Sequence, residues 1–176
     1  MNDEIDNLKF PIGKYKAILE FDFSRTVEDI KTLELFPSNL RKAVESLDKT
    51  ELKKTYRKGA MNIAQIVHHL CDTHTYAFFR TKHTLLEVNP SVKMYEVDDF
   101  LSTPESNVLD VNDSLNVIEG IHAKWVSLLK TLSEKDFNKT YYHSVRDKNI
   151  ILHEHVGMYT WHTKHHLEHI KMAKDS

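Results

Sequence analysis

Over most of the chain the apolar residues return at three- and four-residue intervals. Only four glycines, Gly13, Gly59, Gly120 and Gly157, punctuate its 176 residues, so the pattern predicts a mainly helical protein. The clearest run is Leu115, Ile118, His122, Trp125, Leu129 and Leu132, whose 3-4-3-4-3 spacing is the seam of a bundle helix over about 112–132. Asn62 followed by Gln65 predicts the start of another long helix, ending near Leu86. Thr26 with Asp29 predicts a helix start, a break near Pro37 and renewed helix to about Leu47. The last helix is expected over about Leu152–Ala173. Residues 1–23, with "KFPIGKY", read as an extended lead-in, and "NKTYYHSVRDKNIIL" as a connection with extended character. "EVNPSVKMYEVDDFLSTPESN", with Pro90 and Pro104, is too long for a tight turn between helices. These elements predict an all-α fold, a four-helix bundle with long crossover connections, in one domain spanning 1–176.

Composition narrows the functional classes. An apolar fraction of 40% with 28% charged residues belongs to a soluble globular chain, and no run of 18 apolar residues occurs to predict a membrane span. Twenty-four Lys and Arg face 26 Asp and Glu without a basic cluster, which argues against a nucleic-acid partner. The glycines lie too far apart for a phosphate-cradling loop. Cys71 is the sole cysteine, excluding an internal disulfide. "MNDEIDNLKF" has no apolar core of a signal peptide, and a cytoplasmic protein is expected.

The candidate chemistry lies in the histidines. "YTWHTKHHLEHI", residues 159–170, holds four of the chain's twelve. Turned at about 100° per residue, the last helix places Ile151, His155, Met158, Tyr159, His162, His166, His169, Ile170 and Ala173 on one face. His153, Thr160, Lys164 and Lys171 fall opposite, and His165 lies off the stripe's centre. His162 and His166, four apart, can converge on one ion. The competing reading is a set of packed histidines, but burying several imidazoles without partners is costly. A third ligand is sought in "IVHHLCDTH", residues 66–74. There His74 lies inside the apolar stripe, His69 on its flank beside Thr73, Tyr76 and Arg80, and His68 points outward to the surface. Burial favours His74, whereas a ligand lining a polar cavity belongs on the flank, so geometry leaves both open.

"MNIAQIVHHLCDTHTYAFFRTKHTLLE", "PSVKMYEVDDF" and "GMYTWHTKHHLEHI" together resemble the YfiT-type branch of the DinB-like proteins, and "KFPIGKY" resembles that branch's opening. The resemblance implies a four-helix bundle, often dimeric, with one divalent ion on three histidines. Carried onto this sequence, those ligands are His69, His162 and His166. It implies a metal-dependent hydrolase, or a thiol S-transferase of the bacillithiol type, acting on small molecules. Where the family has a tryptophan and a hydroxyl residue ahead of the second helix, this chain has Met61 and Asn62.

Three imidazoles leave an open coordination position and suit zinc or nickel over magnesium or calcium. Such an ion makes a nucleophile, water or thiol, available at neutral pH. Arg80 is a candidate for holding a substrate carboxylate, and His74 for a proton carrier or a partner of a ligand histidine. Asp72 or Glu168 are candidates to accept a ligand's second N–H. Tyr76 and Tyr159 are candidate cavity walls, and Cys71 reads as an inert thiol. The alternative function is a bundle stapled by a structural metal. His74, His155 or His169 would then close the ion as a fourth ligand.

Overall fold

The structure, a computed structural model, describes residues 2–92 and 97–176. In chain order it runs α1 (Asn2–Lys9), α2 (Phe23–Val44), a 3₁₀ turn at Glu51–Lys53, α3 (Ile63–Leu86), β1 (Ser91–Val92) and α4 (Val97–Leu101). A second 3₁₀ turn at Pro104–Asn107 leads to α5 (Asn112–Leu129), α6 (Glu134–Phe137), β2 (Thr140–His143), β3 (Lys148–Ile151) and α7 (Leu152–Lys174). The long helices α2, α3, α5 and α7 form the four-helix bundle. α2 packs mainly on α5 and α7, and α3 on the same two. Consecutive helices α2 and α3 therefore sit diagonally across the bundle.

α3 begins where the sequence places it. The Asn62 side chain accepts from the Gln65 amide at 2.8 Å, while the Gln65 side chain accepts from the Asn62 amide at 3.0 Å, a reciprocal cap that satisfies two otherwise unpaired donors. α5 and α7 also follow their predicted spans to within a few residues, with Leu132 falling past the end of α5.

α2 differs from expectation. It starts at Phe23, because Asp22 rather than Thr26 caps it, accepting from the Arg25 amide at 3.0 Å. It also runs unbroken through Pro37. Proline removes the amide that would bond the Leu33 carbonyl, but that carbonyl is engaged instead by His122 Nδ1 at 2.7 Å.

The connections carry structure of their own. The lead-in opens with α1, and the segment after it lies along α7. Trp161 Nε1 donates to the Gly13 carbonyl at 3.1 Å, and the Tyr15 hydroxyl to the Glu154 carbonyl at 3.0 Å. The two long connections supply a three-stranded sheet in the order β1-β2-β3, with β1 parallel to β2 and β2 antiparallel to β3. Residues 93–96, in the middle of the predicted crossover and of "PSVKMYEVDDF", lie outside the described residues.

Two apolar clusters fill the bundle. One gathers Phe36, Leu40, Ile63, Ile66, Leu70, Leu115, Ile118 and Ile170. The other gathers Leu33, Ala77, Phe78, Trp125, Leu129, Leu152, Val156 and Tyr159. Between them, on α3, α5 and α7, lie His69, His74, His122, His162 and His166, a polar belt across the interior. Replacing Asn62 by Ala is expected to lower stability by about 1 kcal/mol, read as a lower urea midpoint with an unchanged denaturant slope.

Candidate metal centre

Three predicted ligands meet in the belt. His69 comes from the middle of α3, and His162 and His166 from successive turns of α7. One ring nitrogen from each lies within 4.8 Å of the others. His69 Nε2 and His162 Nε2 are 3.3 Å apart. The rings of His69 and His166 are 4.9 Å apart, and those of His162 and His166 4.5 Å. Burial holds the His69 imidazole down to about 4. His162 and His166 are pushed well below their ordinary value by burial, then by the neighbouring rings. All three are therefore neutral near pH 7, the form that offers a lone pair. His166 Nδ1 is buried without a hydrogen-bond partner.

The other histidines fall into place around them. His74 is fully buried, with Nδ1 2.8 Å from His122 Nε2 and Nε2 3.2 Å from His162 Nδ1. His155 accepts from the Tyr141 hydroxyl at 2.9 Å and donates to the Ala77 carbonyl at 3.2 Å. With both nitrogens engaged, neither supplies a fourth ligand. His169 donates through Nε2 to the Leu8 carbonyl at 3.2 Å and stacks on Tyr56. Its ring nitrogen also lies within 4.8 Å of those of His165 and His166. That second group sits on one helix, enclosed by Phe10, Trp161 and Tyr56.

Three histidines expected on polar or off-centre positions are buried. His68 is held by Ser114 Oγ at 2.8 Å and the Val108 carbonyl at 3.1 Å, because the connection before α5 covers that flank of α3. His153 packs against Phe21, and His165 against Trp161 and Phe10, because the lead-in covers the outer side of α7. Thr160 is buried there too, donating to the Asp29 carbonyl at 3.2 Å. Neither proposed carboxylate bonds a ligand histidine. Glu168 pairs with Lys171 at 3.0 Å, and Asp72 feels mainly its own burial and Glu105. Burial pushes the Cys71 thiol up to about 11, in keeping with an inert thiol.

His69 and His162 open on a cavity of about 240 Å³ walled also by Thr73, Arg80, His143, Arg146 and Tyr159. Arg80 is buried, donates through Nη1 to the Tyr159 hydroxyl at 3.1 Å and lies over the Tyr76 ring. Its Nε and Nη2 have no hydrogen-bond partner among the described residues. These two atoms form one edge of the guanidinium fork, the edge that grips a carboxylate bidentately. His143 and Arg146 were not anticipated. They reach the cavity because β2 and β3 form a hairpin, whose turn is marked by Asp147 at φ 47°.

A four-helix bundle with three converging neutral imidazoles at the edge of a cationic cavity defines the class. The chain belongs to the DinB superfamily, whose sequence profile matches residues 32–170. It is 34% identical over 164 residues to "Putative metal-dependent hydrolase YfiT" of Bacillus subtilis (strain 168), covering 93% of this chain and 92% of that one. A relative of the same description from Geobacillus kaustophilus (strain HTA426) is 35% identical over 162 residues, covering 92% and 91%. The solved structure of YfiT from Bacillus subtilis, described as a probable metal-dependent hydrolase with an unusual four-helix bundle topology, superposes with a TM-score of 0.93. That match is at 32% identity and covers 96% of this chain and 97% of that one. The mycothiol-dependent maleylpyruvate isomerase shares the fold at a TM-score of 0.66 and 13% identity, over 86% of this chain and 63% of that one. Among the described residues no helix is long and apolar enough to cross a membrane.

The buried rings make stability depend on pH. In the folded chain His122 is held down to about 4 and His155 to about 3, in both cases chiefly by burial, whereas in the unfolded chain both titrate near 6.5. As the pH falls, the unfolded chain takes up these protons first. Stability is therefore full above about pH 6.5 and is lost below it, by up to about 1.4 kcal/mol per pH unit for each ring. Urea midpoints of the metal-free protein across this range are expected to fall monotonically with acidification.

Proposed function

We propose that the protein is a metal-dependent enzyme of the hydrolase type, binding one divalent transition metal, zinc or nickel, through His69, His162 and His166. The observation that carries this reading is the 3.3 Å separation of His69 Nε2 and His162 Nε2. Two nitrogens about 2.0–2.1 Å from one tetrahedral ion lie about 3.3–3.4 Å apart. The orphaned Nδ1 of buried His166 and the all-imidazole donor set fit the same group. An ion held there supplies a nucleophile, water or thiol, made acidic enough to react near neutral pH.

The chain's own residues do the rest. His69 and His162 face the cavity, so the reacting group arrives from that side. The free edge of Arg80 binds a carboxylate on the substrate, and Tyr159 fixes the guanidinium from its other side. Arg146 adds positive charge to the cavity wall, which makes an anionic small molecule the preferred substrate class. The same charge and volume admit a carboxylate-bearing low-molecular-weight thiol as co-substrate, so S-transfer is the second reading.

Elemental analysis of the purified, untagged protein is expected to find about one transition-metal ion per chain, lost in His69→Ala, His162→Ala and His166→Ala with helical content retained. His68→Ala is expected to keep its metal, because its ring faces Ser114 and Val108. Metal retained in all three triad variants would overturn the site. Carboxylated esters turned over without added thiol would favour hydrolysis, and turnover only with thiol would favour transfer.

A further inference from the structure

The histidine chain behind the triad has a direction, and it is set from one end. A backbone carbonyl can only accept, so in its 2.7 Å contact with Leu33 the proton sits on His122 Nδ1. The carbonyl is open to this bond because the residue four positions on is Pro37, which has no amide to give. His122 is 1% exposed, with no carboxylate bonded to it among the described residues. A second proton on Nε2 would make it a buried cation without a counter-ion, so Nε2 carries a lone pair.

The next two contacts follow in turn. His74 Nδ1 donates to His122 Nε2 at 2.8 Å, which leaves His74 Nε2 as the acceptor. His162 Nδ1 donates to it at 3.2 Å. A neutral imidazole has a single N–H, so His162 Nε2, the atom 3.3 Å from His69 Nε2, is left with its lone pair facing the triad. Aromatic packing holds the rings in these orientations. Phe36 lies 5.2 Å from both His74 and His122, and the edge of Trp125 closes on each.

We propose that His122 and His74 are positioning residues which, anchored on the Leu33 carbonyl that Pro37 releases, hold His162 in the one tautomer that presents a bare nitrogen to the metal. Ligand histidines commonly give their second N–H to a carboxylate or carbonyl. In this chain the carbonyl is two imidazoles away, and the hydrogen-bond direction is passed along. The inference rests on the metal reading given above, yet its first consequence is visible without metal.

Long-range ¹H–¹⁵N spectra of the metal-free protein near neutral pH are expected to show His122, His74 and His162 each protonated on Nδ1 and bare on Nε2. An Nε2–H signature on any of the three overturns the proposal. With zinc alone as the probe, His122→Phe and His74→Leu are expected to bind about 10–100-fold more weakly than the parent chain. His74→Gln should recover most of that loss, because its amide oxygen can accept from His162 Nδ1. Parent-like zinc affinity in both His122→Phe and His74→Leu, with thermal melts showing them folded, also overturns it. A parent chain that binds no zinc would sink the triad while the ring-nitrogen spectra still decide the direction of the chain.

Discussion

A neutral imidazole removed from water still has one proton to give and one lone pair to fill, and leaving either unmet costs about 1–3 kcal/mol. Ten of the twelve histidines here are buried, so this constraint shapes the interior more than any single apolar contact. His68 and His155 meet it locally, each between a carbonyl and a hydroxyl. His74 and His122 meet it through one another and through the Leu33 carbonyl. The nitrogens left over collect on α7 at His165, His166 and His169, with His153 Nε2 apart from them. Of these, His166 belongs to the group whose ring nitrogens converge with those of His69 and His162, the two histidines that line the cavity.

Much of this was legible in the sequence. The Asn62–Gln65 cap, the α5 seam and the span of α7 are local signals, and local signals survive folding. The two α7 histidines of the candidate triad were legible for the same reason, since a four-residue spacing on a helix fixes their neighbourhood. The choice of His69 over His74 came from the family resemblance and was not legible in the spacing. Both lie on faces of α3 that end up covered, and only the tertiary arrangement shows His74 already engaged on both sides while His69 faces open space. The polar face assigned to α7 held at Lys164 and Lys171 but not at His153 or Thr160, and off-centre His165 is buried too, because a helical wheel does not know that Phe10 packs on His165, Phe21 on His153 and α2 on Thr160. The Pro37 break failed because the orphaned Leu33 carbonyl is taken by a donor 89 residues further along the chain, in α5.

The cavity joins parts that have no sequence relation. Arg80 comes from α3, Tyr159 from α7, and His143 and Arg146 from the hairpin just before α7. A hairpin is a cheap way to aim two side chains: register pairs His143 with Lys148, and the turn holds Arg146, whose amide donates to the His143 carbonyl at 3.1 Å. The bundle thus provides the candidate ligands, and a short sheet at its side provides part of the cavity wall.

The belt of imidazoles between two aliphatic clusters also acts as a register mark. In a bundle lined only with Leu, Ile and Val, sliding one helix by a turn, about 5.4 Å, exchanges one greasy contact for another of similar quality. Here the same slip would set rings on α3, α5 or α7 against aliphatic side chains and strand their N–H groups and lone pairs. The layer that holds the candidate metal centre therefore also specifies which of several near-equivalent alignments the four helices adopt.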